Sequence, residues 1–182
     1  MLIAVEGING ANKTKYALEY ATFIKAEYIK FPCSKEMLLY LNNEYNQLEA
    51  QVAELSIYLH YYNLYKNKDV NVVLERGYFS LYAYFENQSF ENFVKSNIKP
   101  PELCILLTVN KYIPKTRKLN NRFLNDAEFQ MKVQDKMIKD FYEFYTPIIK
   151  DYIHNNITYK FGIRKDIFTS EAENIYSKFI SV

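Results

Sequence analysis

Gly7-Ile8-Asn9-Gly10-Ala11-Asn12-Lys13-Thr14 is the stretch on which the reading of this 182-residue chain turns. It follows an apolar run at residues 2–5 and precedes a helical pattern at 13–25. The spacing matches Gly, four residues, Gly, Lys, Ser/Thr, except that Asn12 stands where the second Gly belongs. In a loop of this kind, backbone N–H groups and the N-terminus of the next helix cradle phosphate oxygens. The lysine neutralises β/γ charge and the hydroxyl ligates Mg²⁺. Those tasks fall here to Gly7, Asn9, Gly10, Ala11, Asn12, Lys13 and Thr14. Asn is among the residues that best tolerate positive φ, so Asn12 is expected to keep the loop's shape. The competing reading is a ligand-free Gly/Asn turn; placement between an N-terminal strand and a helix favours the phosphate loop.

Outward from the loop, short apolar runs at 2–5, 27–31, 70–74, 103–109 and 157–161 alternate with longer helical patterns. That alternation predicts an α/β fold with a parallel five-stranded sheet flanked by helices. The run 103–109, LCILLTV, has no polar alternation, as expected of a central strand covered on both faces. Helices are expected at 13–25, 47–66, 126–155 and 170–180, with Pro147 kinking or dividing the third. The polar segment 112–126 contains Pro114 and two arginines and reads as a short lid. No repeat or linker interrupts the chain, so residues 1–182 are expected to form one domain.

Composition narrows the class. Hydrophobic residues make up 49% and charged residues 24%, as in a globular protein, and the net charge of +2 gives no global field toward nucleic acid or an anionic membrane. The N-terminus lacks a signal-peptide pattern and no stretch approaches a membrane span, which points to the cytoplasm. Cys33 and Cys104 fit no metal spacing and read as reduced buried thiols. Only four arginines, Arg76, Arg117, Arg122 and Arg164, stand against nineteen lysines. In a lysine-rich chain a retained arginine suggests a need for its planar fork. His60 and His154 lack a partner pattern and read as surface or packing residues.

Several motifs occur in order along the chain. Ile3-Ala4-Val5-Glu6-Gly7 opens the loop, Phe31-Pro32 follows the second run, and Glu75-Arg76-Gly77-Tyr78-Phe79-Ser80-Leu81-Tyr82-Ala83-Tyr84 follows the third. Lys99-Pro100-Pro101-Glu102-Leu103 precedes the fourth run, and Arg122-Phe123 precedes Glu128-Phe129-Gln130 and Val133. Together they resemble the thymidylate kinases, of P-loop NTPase fold, over nearly the whole chain. The resemblance implies transfer of the ATP γ-phosphate to dTMP or a related deoxynucleotide, with Mg²⁺. It implies that Lys13 and the loop hold the donor phosphates and that Arg76 grips the acceptor phosphate. Arg122, with Arg117, would close with the lid over the transferring group. Glu75 would organise the Mg²⁺ shell with Thr14, while Asn9, Ser80, Tyr84 and Phe31 would face the acceptor. Phe31 and Tyr84 also read as core aromatics, and Arg117 and Arg122 as a solvated loop pair. A homodimer is implied as well, with the helix at 47–66 as an interface element.

The chain departs from that family at Asn9, where an acidic residue is expected, at Asn12, at Gly77, which replaces a tyrosine, and at Ser34, which replaces an arginine. No arginine precedes Arg76, so base selectivity is not carried over; Tyr58, Tyr61 and Tyr62 are candidates for stacking. Glu75-Arg76 is also similar to the Glu-Arg-Ser of deoxynucleoside kinases, although Phe31-Pro32 stands where those enzymes place a catalytic Glu. The departures leave a catalytically weakened nucleotide-binding homologue as a reading of a different class.

Overall fold

The computed structural model describes residues 1–30, 46–66, 68–113, 126–145, 149–154 and 157–163. Six strands form one sheet: β1 (Leu2–Gly7), β2 (Glu27–Lys30), β3 (Val72–Glu75), β4 (Leu103–Val109), β5 (Ile149–His154) and β6 (Ile157–Ile163). The helices are α1 (Lys13–Phe23), α2 (Gln47–Tyr65), α3 (Ser80–Ala83), α4 (Gln88–Asn97) and α5 (Ala127–Phe144). The strand order is β2-β3-β1-β4-β6-β5.

β2, β3, β1 and β4 are parallel, with Leu2 opposite Val72 and Ile3 opposite Leu103. Every residue of β1 and β3 is buried, and six of seven in β4. Strands covered on both faces need continuous apolar sequence, which is why these runs lack alternation. The charged exceptions are Glu6 and Glu75, two carboxylates at the C-terminal ends of β1 and β3. The connections from β1 and β3 leave in opposite directions along the sheet, which opens a crevice at those ends.

The α/β class and the mostly parallel, helix-flanked sheet match the expectation from sequence; the far edge differs. Among the described residues the sheet has six strands, not five, and the run expected to be the fifth parallel strand is β6, antiparallel to β4. β5 was expected to continue the helix to residue 155. Instead α5 stops at Phe144 and β5 pairs with β6. Pro147 offers no N–H and biases its predecessor away from helical geometry. Only residues 155–156 separate β5 from β6, a length that permits antiparallel pairing and no crossover. Gly162 admits the close approach of α5, since a Cβ there would lie 2.3 Å from that of Tyr145. The expected helix at 170–180 and nearly all of the 112–126 lid lie outside the described residues, as does Cys33; Cys104 is free and buried.

Three of the five described helices begin at a side-chain cap. Asn46 and Glu49 form a reciprocal capping box at α2, Asn87 caps α4 and Asp126 caps α5 through the Phe129 N–H. The segment 99–103 is a structural latch: Glu102 accepts from the Leu2 N–H at 2.8 Å and returns its own N–H to Leu2 O. Among the described residues no helix is long and apolar enough to cross a membrane.

Candidate active site

The loop between β1 and α1 is shaped by three left-handed or glycine-only conformations. Gly7 has φ 142° and sits so close to β4 that a Cβ would meet Leu107 O at 2.5 Å; Gly10 has φ 85°. Asn12, at φ 56° and ψ 26°, occupies the left-handed region, so the amide substitutes conformationally for the glycine of the pattern. The Ala11 N–H donates to Ile8 O, and Lys13 Nζ donates to the same carbonyl at 2.6 Å. Lys13 is only 6% exposed, folded back along the loop. Tyr112 packs against Gly10 from the end of β4, and the Asn9 N–H donates to Gln130 Oε1 on α5 at 3.4 Å.

β3 delivers the next group. Glu75 Oε1 accepts from Thr14 Oγ1 at 2.7 Å, so the two residues expected to serve a metal are together. Glu75 Oε2 accepts from the Tyr28 hydroxyl on β2. Burial, and then the bond to Glu75, push the Tyr28 phenol well above its ordinary pKa, so it remains a donor. Among the described residues no cluster of three or more His, Cys, Asp or Glu could hold a metal. A single carboxylate and a hydroxyl nonetheless fit Mg²⁺, which takes few protein oxygens when phosphates and water complete its shell.

Arg76 follows directly, with φ 73°. A non-glycine residue in that region costs about 1–2 kcal/mol, and its N–H donates to Val5 O at 2.9 Å, tying the turn to β1. The guanidinium donates from Nη2 to Asn9 Oδ1 at 2.6 Å and from Nη1 to Tyr84 Oη at 3.2 Å. Longer contacts of 3.4 Å reach Gly7 O and Ser80 Oγ, and the guanidinium carbon lies 5.3 Å from the Tyr84 ring centre. Asn9, Arg76, Ser80 and Tyr84, expected together from sequence, converge here.

Glu6 was missed as a site residue. It is wholly buried, and its carboxylate accepts from the Phe79 N–H at 2.9 Å and from Ser80 Oγ at 2.7 Å. Burial raises its pKa; the Ser80 bond, Arg76 and the Phe79 N–H oppose that rise. Glu6 thereby fixes the start of α3 against β1. A buried acid in an otherwise apolar strand was the available signal. Tyr28 and Gln130 had no such signal, because each matters through a partner distant in sequence.

Other expectations divide. Tyr58 is a core residue, fully buried with its hydroxyl donating to Lys99 O at 2.9 Å, and not a stacking surface. Tyr61 and Tyr62 are half-buried on α2, and His60 is exposed there. Phe31, Ser34, Arg117 and Arg122 lie outside the described residues. Gly77 leaves room that a Cβ would close to within 3.5 Å of Ala4 Cβ and 3.6 Å of Glu6 Oε1.

No protein-family model matches the sequence, and no curated protein matches it. Solved structures do. A deoxyadenosine kinase from M. mycoides, with the products dCMP and a flexible dCDP bound, superposes with a TM-score of 0.55 at 16% identity, over 79% of this chain and 84% of that one. The deoxyadenosine kinase from M. mycoides with bound dATP gives 0.56 at 17% identity over the same shares. The loop after β1, the parallel strands that carry it and this likeness together give the chain the fold of these deoxyadenosine kinases.

Proposed function

We propose that this protein is an ATP- and Mg²⁺-dependent kinase that transfers the γ-phosphoryl group to dTMP or a related deoxynucleoside monophosphate. The observation that carries the reading is a pair of cationic groups that meet the same loop. Lys13, at the start of α1, donates to the Ile8 carbonyl, and Arg76, just after β3, donates to Asn9 Oδ1. One suits a donor phosphate and the other an acceptor phosphate, which is the arrangement a transfer between two phosphates needs.

In the proposed reaction an acceptor phosphate oxygen attacks the γ-phosphorus. A new P–O bond forms as the bond to the β–γ bridging oxygen breaks, and ADP leaves with that electron pair. The acceptor is already anionic, so no general base is required. Loop N–H groups, with Lys13, hold and neutralise the donor phosphates. Thr14 and Glu75 would hold Mg²⁺, which supplies further charge neutralisation. Arg76 orients the acceptor phosphate, supported by Ser80 and Tyr84. Phe31 walling the acceptor pocket, and Arg117 and Arg122 closing over the transferring group, belong to the same proposal.

A deoxynucleoside acceptor is the second reading, favoured by the likeness to deoxyadenosine kinase and by Glu75-Arg76. A nucleotide-binding homologue with weakened catalysis is the third; Asn9 and Asn12 motivate it, although Asn12 already has the conformation the loop needs. The proposed setting is the cytoplasm. A homodimer through α2 completes the proposal, supported by Leu48 and Val52, which are 65% and 53% exposed on that helix. Coupled ADP release with ATP, Mg²⁺ and a panel of deoxynucleotides and nucleosides tests the main reading. Turnover on a monophosphate is expected. Turnover on nucleosides alone would transfer the protein to the second reading, and ATP binding without turnover to the third.

A further inference from the structure

The turn that leads from Arg76 into α3 is fastened at both ends to consecutive residues of β1. At its start the Arg76 N–H donates to Val5 O at 2.9 Å. At its end the Phe79 N–H donates to Glu6 Oε1 at 2.9 Å, and the Ser80 hydroxyl donates to Glu6 Oε2 at 2.7 Å. Between them Gly77 passes close to the carboxylate, where a Cβ would lie 3.6 Å from Glu6 Oε1. Phe79, the residue before α3, has no capping side chain, so Glu6 serves the start of the helix from the neighbouring strand.

Glu6 also stands immediately before Gly7, on a strand paired along both edges, with Val5 opposite Glu75 and Glu6 opposite Leu106. The residue that feeds the phosphate loop therefore also holds the helix that brings Ser80 and Tyr84 to Arg76. An apolar side chain here would avoid the cost of burying a carboxylate. It would also leave the Phe79 N–H and the Ser80 hydroxyl without their acceptor. We propose that Glu6 is a positioning residue for phosphoryl transfer: it fixes α3, and with it the acceptor, relative to the loop that holds the donor. The proposal rests on the kinase reading above and holds for either class of acceptor. Transfer depends steeply on how the reacting groups are placed, so a shift of α3 lowers kcat even where each substrate still binds.

The test is a double-mutant cycle on Glu6→Gln and Ser80→Ala, read by steady-state kinetics with ATP, Mg²⁺ and the acceptor that wild type uses best. Glu6→Gln keeps the size of the side chain and still accepts from the Phe79 N–H, but its amide nitrogen cannot accept from Ser80. Ser80→Ala removes the same bond from the other end. Each single variant is expected to lower kcat about threefold to fivefold, the scale of one hydrogen bond, with KM for ATP within about twofold of wild type. The double variant is expected to fall no further than the lower single one, because both changes remove one bond. Thermal unfolding shows that each assayed protein is folded. If Glu6→Gln folds poorly, Glu6→Asp, which withdraws the carboxylate by one methylene, replaces it in the cycle with the same expectation.

Three results would overturn the proposal. Wild-type kcat in Glu6→Gln, with a lowered melting temperature, gives Glu6 a structural role alone and leaves the kinase reading standing. Losses that multiply in the double variant separate Ser80 from Glu6, so that Ser80 acts on the acceptor without it. Wild-type protein that transfers phosphate to no deoxynucleotide or deoxynucleoside contradicts the proposal together with the kinase reading beneath it.

Discussion

At the C-terminal end of the loop, Lys13 and Thr14 sit in the first turn of α1, bonded to the Ile8 carbonyl and to Glu75 at a strand end. At its N-terminal half, Arg76 leaves β3 through a left-handed turn and meets Asn9, Ser80 and Tyr84, with the buried Glu6 bonded to Ser80. The Lys13 side is thus fixed by a loop whose backbone could adopt few other shapes. The Arg76 side is fixed by side chains that hold one another. The contrast teaches that substitutions should act differently on the two. Changes beside Lys13 should remove chemistry with the fold intact, and changes around Arg76 should alter how an acceptor is held.

The sharpest way to break the contrast is Lys13→Ala. It should lower kcat about 10²–10³-fold, as loss of one charged group facing the transferring phosphate does, with the melting temperature nearly unchanged. Full activity in steady-state assays would remove the role given to the loop. Arg76→Lys comes next. It keeps the charge and loses the planar fork, so kcat/KM for the acceptor should fall about 10–100-fold, while KM for ATP moves little. If both substrates weakened equally, the two-sided division would fail.

A smaller effect is expected from Tyr28→Phe, which frees one oxygen of Glu75 on the Lys13 side. The Mg²⁺ concentration needed for half-saturation of ADP binding should rise about three- to tenfold, the scale of one hydrogen bond to a charged group. An unchanged Mg²⁺ dependence in calorimetry would show that Tyr28 does not position Glu75.

The smallest effect belongs to Glu6 on the Arg76 side. Its folded pKa is raised above 4.5 by burial, so the native state binds the proton more tightly than the unfolded chain. The stability linked to that proton is present below pH 4.5 and is lost as the pH rises through the folded pKa. Glu6→Gln should therefore flatten the fall in stability above pH 4.5 in urea unfolding at a series of pH values. A variant whose pH profile parallels that of wild type would contradict the buried, proton-linked carboxylate.

The two sides were also unequally legible in sequence. The loop could be read because its requirements are local: strand, glycines, Lys13, helix, and an Asn able to take positive φ at position 12. Arg76, Ser80 and Tyr84 could be placed because they fall within one short segment. The supports could not. Glu6 and Phe79 are 73 residues apart, Tyr28 and Glu75 are 47 apart, and Asn9 and Gln130 are 121 apart; no periodicity encodes such pairs. The sheet shows the same division. Its parallel strands are unbroken apolar runs, whereas β5 continued the apolar spacing of α5 closely enough to read as helix. The signals for a break were Pro147 and the short span to β6, and Pro147 read equally well as a kink.

The most direct measurement is transfer of radiolabel from γ-³²P ATP, in Mg²⁺, to deoxynucleoside monophosphates resolved by chromatography. Label is expected to appear in a deoxynucleoside diphosphate, and to be lost in Lys13→Ala. Label confined to ATP and inorganic phosphate across every monophosphate would contradict it.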